Sequence, residues 1–149
     1  MRIGLFVVGR IVLGLYYLYS GVMGLIHLPM MSGYAASKGV PAAQLAVIVS
    51  HLLLIVAGFC FLAGWRPALG VACAVIFFLP VTFSMHAFWA EKDPQMAQNQ
   101  MIHFTKNIAL LASSLMFLAI PRPWPWSLEE RLAQRGRVPP TQGRTIPVG

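Results

Sequence analysis

The stretch AQLAVIVSHLLLIVAGFCFLA, residues 43–63, decides the fold, because it is long, almost wholly apolar and free of Asp, Glu, Lys and Arg. An α-helix rises about 1.5 Å per residue, so about 20 apolar residues span the roughly 30 Å hydrocarbon core of a bilayer. Other stretches of similar length and composition flank it. Together they predict an all-α, polytopic membrane protein, a bundle of four transmembrane helices at residues 3–26, 43–63, 68–89 and 101–120.

The composition favours the same class of protein. Apolar residues make up 58% and charged residues 10% of the 149 residues, which leaves too few charged side chains for the surface of a soluble domain. The net charge of +7 does not indicate nucleic acid, because the basic residues flank the apolar segments instead of forming a stripe. The first segment carries Arg10 and ends without a cleavage site, so it is predicted to be a retained helix.

Basic residues at the segment ends predict the orientation, since Lys and Arg accumulate on the cytoplasmic side. With the N-terminus inside, only Lys38 and Lys92 lie outside. Both termini are therefore predicted to be cytoplasmic. The seven basic residues on that side are Arg2, Arg66, Arg122, Arg131, Arg135, Arg137 and Arg144.

The predicted domain boundary follows the fourth segment. Residues 1–128 form the four-helix domain, and residues 129–149 form a basic cytoplasmic tail. Ser127 and Glu130 have the spacing of a capping box, which predicts a short helix to about residue 134, followed by a disordered end. Trp124 and Trp126 are predicted to anchor the inner interface of the membrane.

The histidines fall at one predicted level of the bundle. His27 ends the first helix, and His51 lies about 12 Å below the outer end of the second by helical rise. His86 lies one turn before the end of the third, and His103 belongs to the start of the fourth, next to a polar loop over residues 91–100. Ionisable groups in hydrocarbon are costly and mark functional sites by default. The sequence therefore predicts a polar pocket that opens outward.

Each of these polar residues also has an interpretation without function. His27 at a helix end is interfacial, and His51 needs only a hydrogen bond to a neighbouring helix. Lys106 needs about one turn to reach the outer surface with its ammonium group, and Trp89 is typical of an aromatic belt. Arg10, about two turns from the cytoplasmic end, requires either a structural partner or an anionic headgroup.

Thiol and metal chemistry have weaker support. Cys60 and Cys73 lie near the inner ends of two helices and are either a dithiol or small packing residues, of which the second is favoured. Single histidines on separate helices lack zinc spacing, so no metal is predicted. A haem held by His51 and His86 stays an alternative.

Two motifs and several small residues carry a resemblance to a known family. The motifs are HAFW at residues 86–89 and HFTKN at residues 103–107. The other residues are Arg10, Gly14, Ser20, Gly21, Gly39-Val40-Pro41, Gly58 and Gly64. With these, residues 10–128 resemble the DoxX family of four-helix membrane proteins.

The resemblance implies a protein of the bacterial or archaeal inner membrane. Some members are similar to a subunit of a thiosulfate:quinone oxidoreductase, and others belong to oxidative-stress and thiol-homeostasis complexes. Many relatives carry a glutamate where this chain has Leu54. The resemblance therefore does not imply a proton relay through that position in this chain.

The first of two predicted functions is that of a membrane subunit of a redox-linked assembly whose outer pocket binds a quinone. His86, His103 and Lys106 are the predicted catalytic residues, which hydrogen-bond the carbonyl oxygens and move protons. The sequence contains no flavin, haem or iron–sulfur motif, so a partner must supply the electrons. The residues predicted to contact the quinone are Trp89, Asn107, His51 and Tyr17.

The second predicted function is that of a non-catalytic membrane scaffold, which recruits or stabilises partner proteins. In both cases the predicted partners are membrane lipid and a protein of a redox or stress-response complex. Nucleic acid is not an expected partner.

Overall fold

The computed structural model describes residues 2–136. Within that range all regular structure is helical. Single turns of 3₁₀ helix follow the fourth and fifth helices, at Phe88–Ala90 and Phe117–Ala119. The α-helices are α1 (Arg2–Ile26), α2 (Leu28–Ser37), α3 (Ala43–Ala63), α4 (Pro67–Met85), α5 (Pro94–Met116) and α6 (Leu128–Gly136).

The four predicted transmembrane segments are confirmed. Helices α1, α3, α4 and α5 are long and apolar enough to cross a membrane. The turn between α3 and α4 is tight because Gly64, at φ +61°, ends one helix and Pro67 begins the next. Helices α3 and α4 are therefore antiparallel.

The fourth span begins earlier than the sequence predicts. Helix α5 starts at Pro94, so the prediction of a polar loop over residues 91–100 is wrong from residue 94 onward. Asp93 explains the early start, because its carboxylate accepts a hydrogen bond from the Met96 N–H at 2.8 Å. Proline at the first helical position suits this cap, since its missing N–H would be unpaired there anyway.

Helix α2 is a second departure from the sequence prediction, which assigns no helix to residues 28–37. It packs across α3 and α4 at one end of the bundle. Ala35 of α2 forms a small apolar cluster with Val47 and Met85. We call this end of the bundle, which also carries Phe88–Ala90, the histidine end, and the opposite end, which carries α6, the terminal end.

The long helices pack in the order α1, α3, α4, α5. Helices α1 and α3 make the closest approach, through glycines. A Cβ at Gly58 would lie 2.8 Å from the Gly14 carbonyl oxygen, and one at Gly14 would lie 2.8 Å from the Leu62 side chain. Small residues let helix backbones approach in this way. This contact sets the rotation of α1 against the bundle.

The apolar core fills the terminal half. Tyr17, Phe61 and Trp124 are fully buried there, together with Phe78. Trp124 is fully enclosed, so its predicted role as an interfacial anchor is wrong. Trp126 is 71% exposed and suits that role.

The chain after α5 folds back over the terminal end. The capping box is confirmed, since Ser127 Oγ accepts from the Glu130 N–H at 3.0 Å and the Glu130 carboxylate accepts from the Trp126 N–H at 2.7 Å. Glu129 accepts from the Arg66 N–H at 2.8 Å, and the Arg122 guanidinium pairs with Glu129 and lowers the pKa of that carboxyl. The start of the predicted tail is thus docked on the bundle. The predicted disorder concerns residues 137–149, which lie outside the described residues.

Candidate functional site

A cavity of about 480 Å³ lies in the histidine half, between α1, α2, α3, α4 and α5. Small-molecule sites commonly have volumes of roughly 300 to 1,000 Å³. Most of the wall is apolar and comes from methionine, valine, alanine and phenylalanine side chains. The polar groups that line it include His27, His51, His86, Lys106, Asn107 and Tyr16.

His51 lies deepest among the histidines of this wall. Its Nδ1 lies 2.8 Å from the Val47 carbonyl oxygen one turn earlier in α3, and its ring meets the edge of Phe77. The ring fits only because residue 24 of α1 is glycine. A Cβ at Gly24 would come within 1.8 Å of the imidazole.

His86 enters the cavity where α4 ends, at Met85. Its Nδ1 lies 2.8 Å from Gln100 Oε1, and Gln100 Nε2 donates to the Tyr34 hydroxyl at 2.8 Å. Tyr34 in turn donates to the Met85 carbonyl oxygen at 3.3 Å. Gln100 is only 6% exposed. This chain of hydrogen bonds joins α2, α4 and α5 and holds the imidazole in place.

His103 and Lys106 lie side by side on α5. The His103 ring stacks on His86 with ring centroids 5.2 Å apart and an interplanar angle of 23°. Lys106 Nζ lies 3.5 Å from His103 Nδ1. Lys106 lines the cavity, as does its buried neighbour Asn107. The cavity wall thus carries an ammonium group beside neutral polar groups.

Three residues of the predicted site lie outside the cavity wall. The Tyr17 hydroxyl is 2.7 Å from Ser114 Oγ in the apolar core. Trp89 is 58% exposed and packs against Phe104. His103 contacts the site only indirectly, because its ring stacks on the ring of His86. This placement does not support a ligand contact for Tyr17 or Trp89.

Sequence reasoning missed Gln100 and Tyr34. The sequence prediction places both in connections, because it contains neither α2 nor the start of α5. The signal for Gln100 is the Asp93-Pro94 pair, which is typical of a helix start. A helix from there places Gln100 three residues before His103, on one face.

An ion pair links two connections at the histidine end. Lys38, which follows α2, pairs with Glu91, which follows Phe88–Ala90. The hydrogen bond to this carboxylate raises the pKa of the Lys38 ammonium group. The pair joins the connection after α2 to the connection between α4 and α5.

The described residues, 2–136, hold no group of three or more His, Cys, Asp or Glu that could bind a metal ion. Cys60 and Cys73 are both buried free thiols. Cys60 packs against Gly70 of the neighbouring helix, where a Cβ would lie 2.8 Å from the Cys60 Cβ. Close packing of this kind favours a structural role for the thiol.

Replacing both cysteines with alanine should leave the protein folded, with a loss of about 1 to 2 kcal/mol from the cavities left by two small side chains. Thermal unfolding of the purified protein in detergent measures this loss. The variant should also keep any redox coupling that the parent shows. A stable variant without that coupling would mean that the thiols form a working dithiol.

The fold and the cavity define a class, that of four-helix membrane proteins with an internal cavity at one end of the bundle. A model of the DoxX family matches residues 5–87, which is more than half of the chain, and the chain belongs to that family. The match includes His51 and His86, whereas His103, Lys106 and Asn107 lie beyond it. No curated protein and no solved structure matches the chain.

Proposed function

We propose that the chain is the membrane subunit of a redox-linked assembly and that its cavity binds a quinone ring. The observation that carries the proposal is the cavity itself, an apolar space inside four candidate membrane spans with a few polar groups on its wall. A quinone has the matching chemistry, since it is an apolar ring with two carbonyl oxygens that dissolves in the bilayer.

Access from the lipid supports the proposal. Tyr16 and Tyr19 line the cavity and are also exposed on the surface of α1. Among the described residues, α1 and α5 make few close backbone contacts, so the bundle is least closed between them. A ligand from the membrane therefore has a lateral path into the cavity.

The polar wall residues have distinct roles in this proposal. Lys106 donates a charge-assisted hydrogen bond to one oxygen of the ring. Asn107 offers a donor and an acceptor beside it, and His86 and His51 exchange protons with the ligand. Met23 and Phe77 provide apolar contact with the ring.

Reduction of a quinone to a quinol consumes two electrons and two protons. The two protons come from the aqueous phase, and a wall histidine that has taken up a proton at Nε2 passes it to the ligand. The electrons come from a partner protein with its own redox centre, because this sequence contains no flavin, haem or iron–sulfur motif. The chain thus contributes the binding site, and the partner contributes the electron donor.

Lys106→Met and His86→Ala should each weaken the binding of a short-chain quinone by about tenfold or more, because a buried or charge-assisted hydrogen bond is lost. Titration of the purified protein in nanodiscs measures this change. Lys92→Met, an exposed lysine outside the candidate spans, is the matched control and should bind like the parent. A parent protein that binds no quinone would refute the proposal.

A scaffold function is the second candidate, and one observation favours it. Helix α5 exposes the small residues Ala109 and Ser113 at the spacing that allows another helix to approach closely. Ala109→Leu with Ser113→Leu should then release a co-purifying protein without changing quinone binding. Loss of a partner from a protein that never bound quinone would favour the scaffold.

Both termini face the cytoplasm of a bacterial or archaeal cell in this proposal, as the distribution of basic residues favours. A reporter enzyme that works only after export should be active when fused after Lys92. One that works only in the cytoplasm should be active when fused after residue 140. The opposite pattern would reverse the orientation and place the cavity near the cytoplasmic face.

A further inference from the structure

In three histidines of the cavity wall, Nδ1 makes a hydrogen bond with an oxygen atom of the protein. His27 Nδ1 lies 2.9 Å from the Met23 carbonyl oxygen, and His51 Nδ1 lies 2.8 Å from that of Val47. A carbonyl oxygen only accepts, so Nδ1 carries the hydrogen in both rings. The third, His86, bonds to the side chain of Gln100.

The direction of the His86 bond follows from the chain that contains it. The Met85 carbonyl oxygen only accepts, so the Tyr34 hydroxyl donates its single hydrogen there. Tyr34 must then accept from the Gln100 amide nitrogen, which leaves the Gln100 amide oxygen facing His86. That oxygen accepts, so His86 also carries its hydrogen on Nδ1.

A neutral imidazole has one N–H, so Nε2 of each of these three rings is a hydrogen-bond acceptor. His103 has the opposite polarity, because its Nδ1 accepts from the Lys106 ammonium group, but it lies outside the wall. The histidines that line the cavity therefore offer lone pairs to a ligand. The other tautomer of His86 would leave the Gln100 amide oxygen without this partner. In His27 and His51 it would turn the Nδ1 lone pair towards a carbonyl oxygen, which repels it.

An oxidised quinone is poorly matched to such a wall, since its two carbonyl oxygens also carry lone pairs and have no hydrogen to donate. A hydroquinone has two O–H groups, which can donate to two acceptors. Lys106 donates to an oxygen of either form and does not discriminate between them. We infer that the cavity selects the reduced, hydroxyl-bearing form of the ligand, a hydroquinone, over the oxidised quinone.

This inference rests on the proposed function and adds to it which redox form of the ligand binds more tightly. Tighter binding of the reduced form raises the midpoint potential of the bound couple. A tenfold preference corresponds to about 30 mV for a two-electron couple. A quinone that enters the cavity is therefore easier to reduce than one in the lipid. In this arrangement Gln100 and Tyr34 are positioning residues, because they act on the ligand through the tautomer of His86.

The test is the ratio of two dissociation constants. The full-length protein in nanodiscs is titrated without oxygen with decylubiquinol and, separately, with decylubiquinone. We expect the quinol to bind about tenfold more tightly, the equivalent of one well-made hydrogen bond. If both forms bind equally, or the quinone binds better, the inference is overturned while the proposed function stands. If neither binds, the proposed function itself fails.

A positioning variant makes the test specific. Gln100→Leu removes the hydrogen-bond partner of His86 Nδ1, so the tautomer of His86 is no longer fixed. The ratio of the quinone to the quinol dissociation constant should then move towards one. The protein should stay folded. Gln98→Leu, on the exposed side of the same helix, is the matched control and should keep the parent ratio.

Nitrogen-15 NMR of labelled histidine reports the tautomers directly. The inference expects Nδ1-protonated rings for His51 and His86 in the parent. In the Gln100→Leu variant, it expects a mixture of the two tautomers for His86 alone. Nε2-protonated rings in the parent would overturn the inference whatever the affinities are.

Discussion

Replacement of Arg10 by glutamine should lower the free energy of unfolding by about 2 to 3 kcal/mol, the usual value of hydrogen bonds made by a charged donor. The guanidinium is only 2% exposed and donates to the Pro125 and Trp126 carbonyl oxygens at 3.4 and 3.1 Å. It also lies over the ring of Trp124. Glutamine is too short to reach both carbonyls, so the segment after α5 loses its attachment.

Thermal unfolding in detergent measures the loss, and limited proteolysis should show earlier cleavage near residue 128. Arg131→Gln, an exposed arginine of α6, is the control and should stay within about 0.5 kcal/mol of the parent. Quinone binding should survive in Arg10→Gln, because the cavity lies at the opposite end of the bundle. Equal stability of the two variants would show that Arg10 does not hold the segment.

Gly24→Ala should disturb both stability and ligand binding. The new Cβ would lie 1.8 Å from Cδ2 and 1.9 Å from Nε2 of His51, so the ring must leave its position. Overpacking of this kind costs about 1 to 3 kcal/mol. Because the displaced ring belongs to the cavity wall, quinone binding should fall by about tenfold or more as well.

Gly9→Ala is a matched control in the same helix, since a Cβ there meets nothing within 4 Å. It should be neutral or stabilise α1 by up to about 1 kcal/mol, because alanine favours a helix more than glycine does. Unfolding temperature and ligand affinity are measured on both variants. If Gly24→Ala behaves like Gly9→Ala, the contact between α1 and His51 is not as described.

The transmembrane helices and the capping box at Ser127 were predictable because they depend on local patterns. About 20 successive apolar residues have to form a helix in hydrocarbon, where every backbone group needs a partner in its own segment. Gly64 and Pro67 end and begin helices through their own dihedral angles. The polar level formed by His51 and His86 followed from helical rise alone.

Only the tertiary structure decided which of these polar groups face the cavity. Tyr16 and Tyr17 are neighbours in α1, yet Tyr16 lines the cavity and Tyr17 lies in the core. The rotation of α1, set by its contact with α3 at Gly14 and Gly58, makes this difference. Helical rise determines the depth of a residue from its sequence position. The rotation of a helix about its axis depends instead on the side chains of the neighbouring helices that pack against it.

The same reason separates what could and could not be predicted about His86. Its depth follows from the sequence, but its tautomer depends on Gln100 and Tyr34, which are 14 and 52 positions away in the chain and come together only when α2 and α5 pack on α4. Trp124 is buried because the chain folds back over Arg10, a long-range contact that no local pattern encodes. The sequence alone determined the four long apolar helices and the level of each residue along them, and packing decided the site.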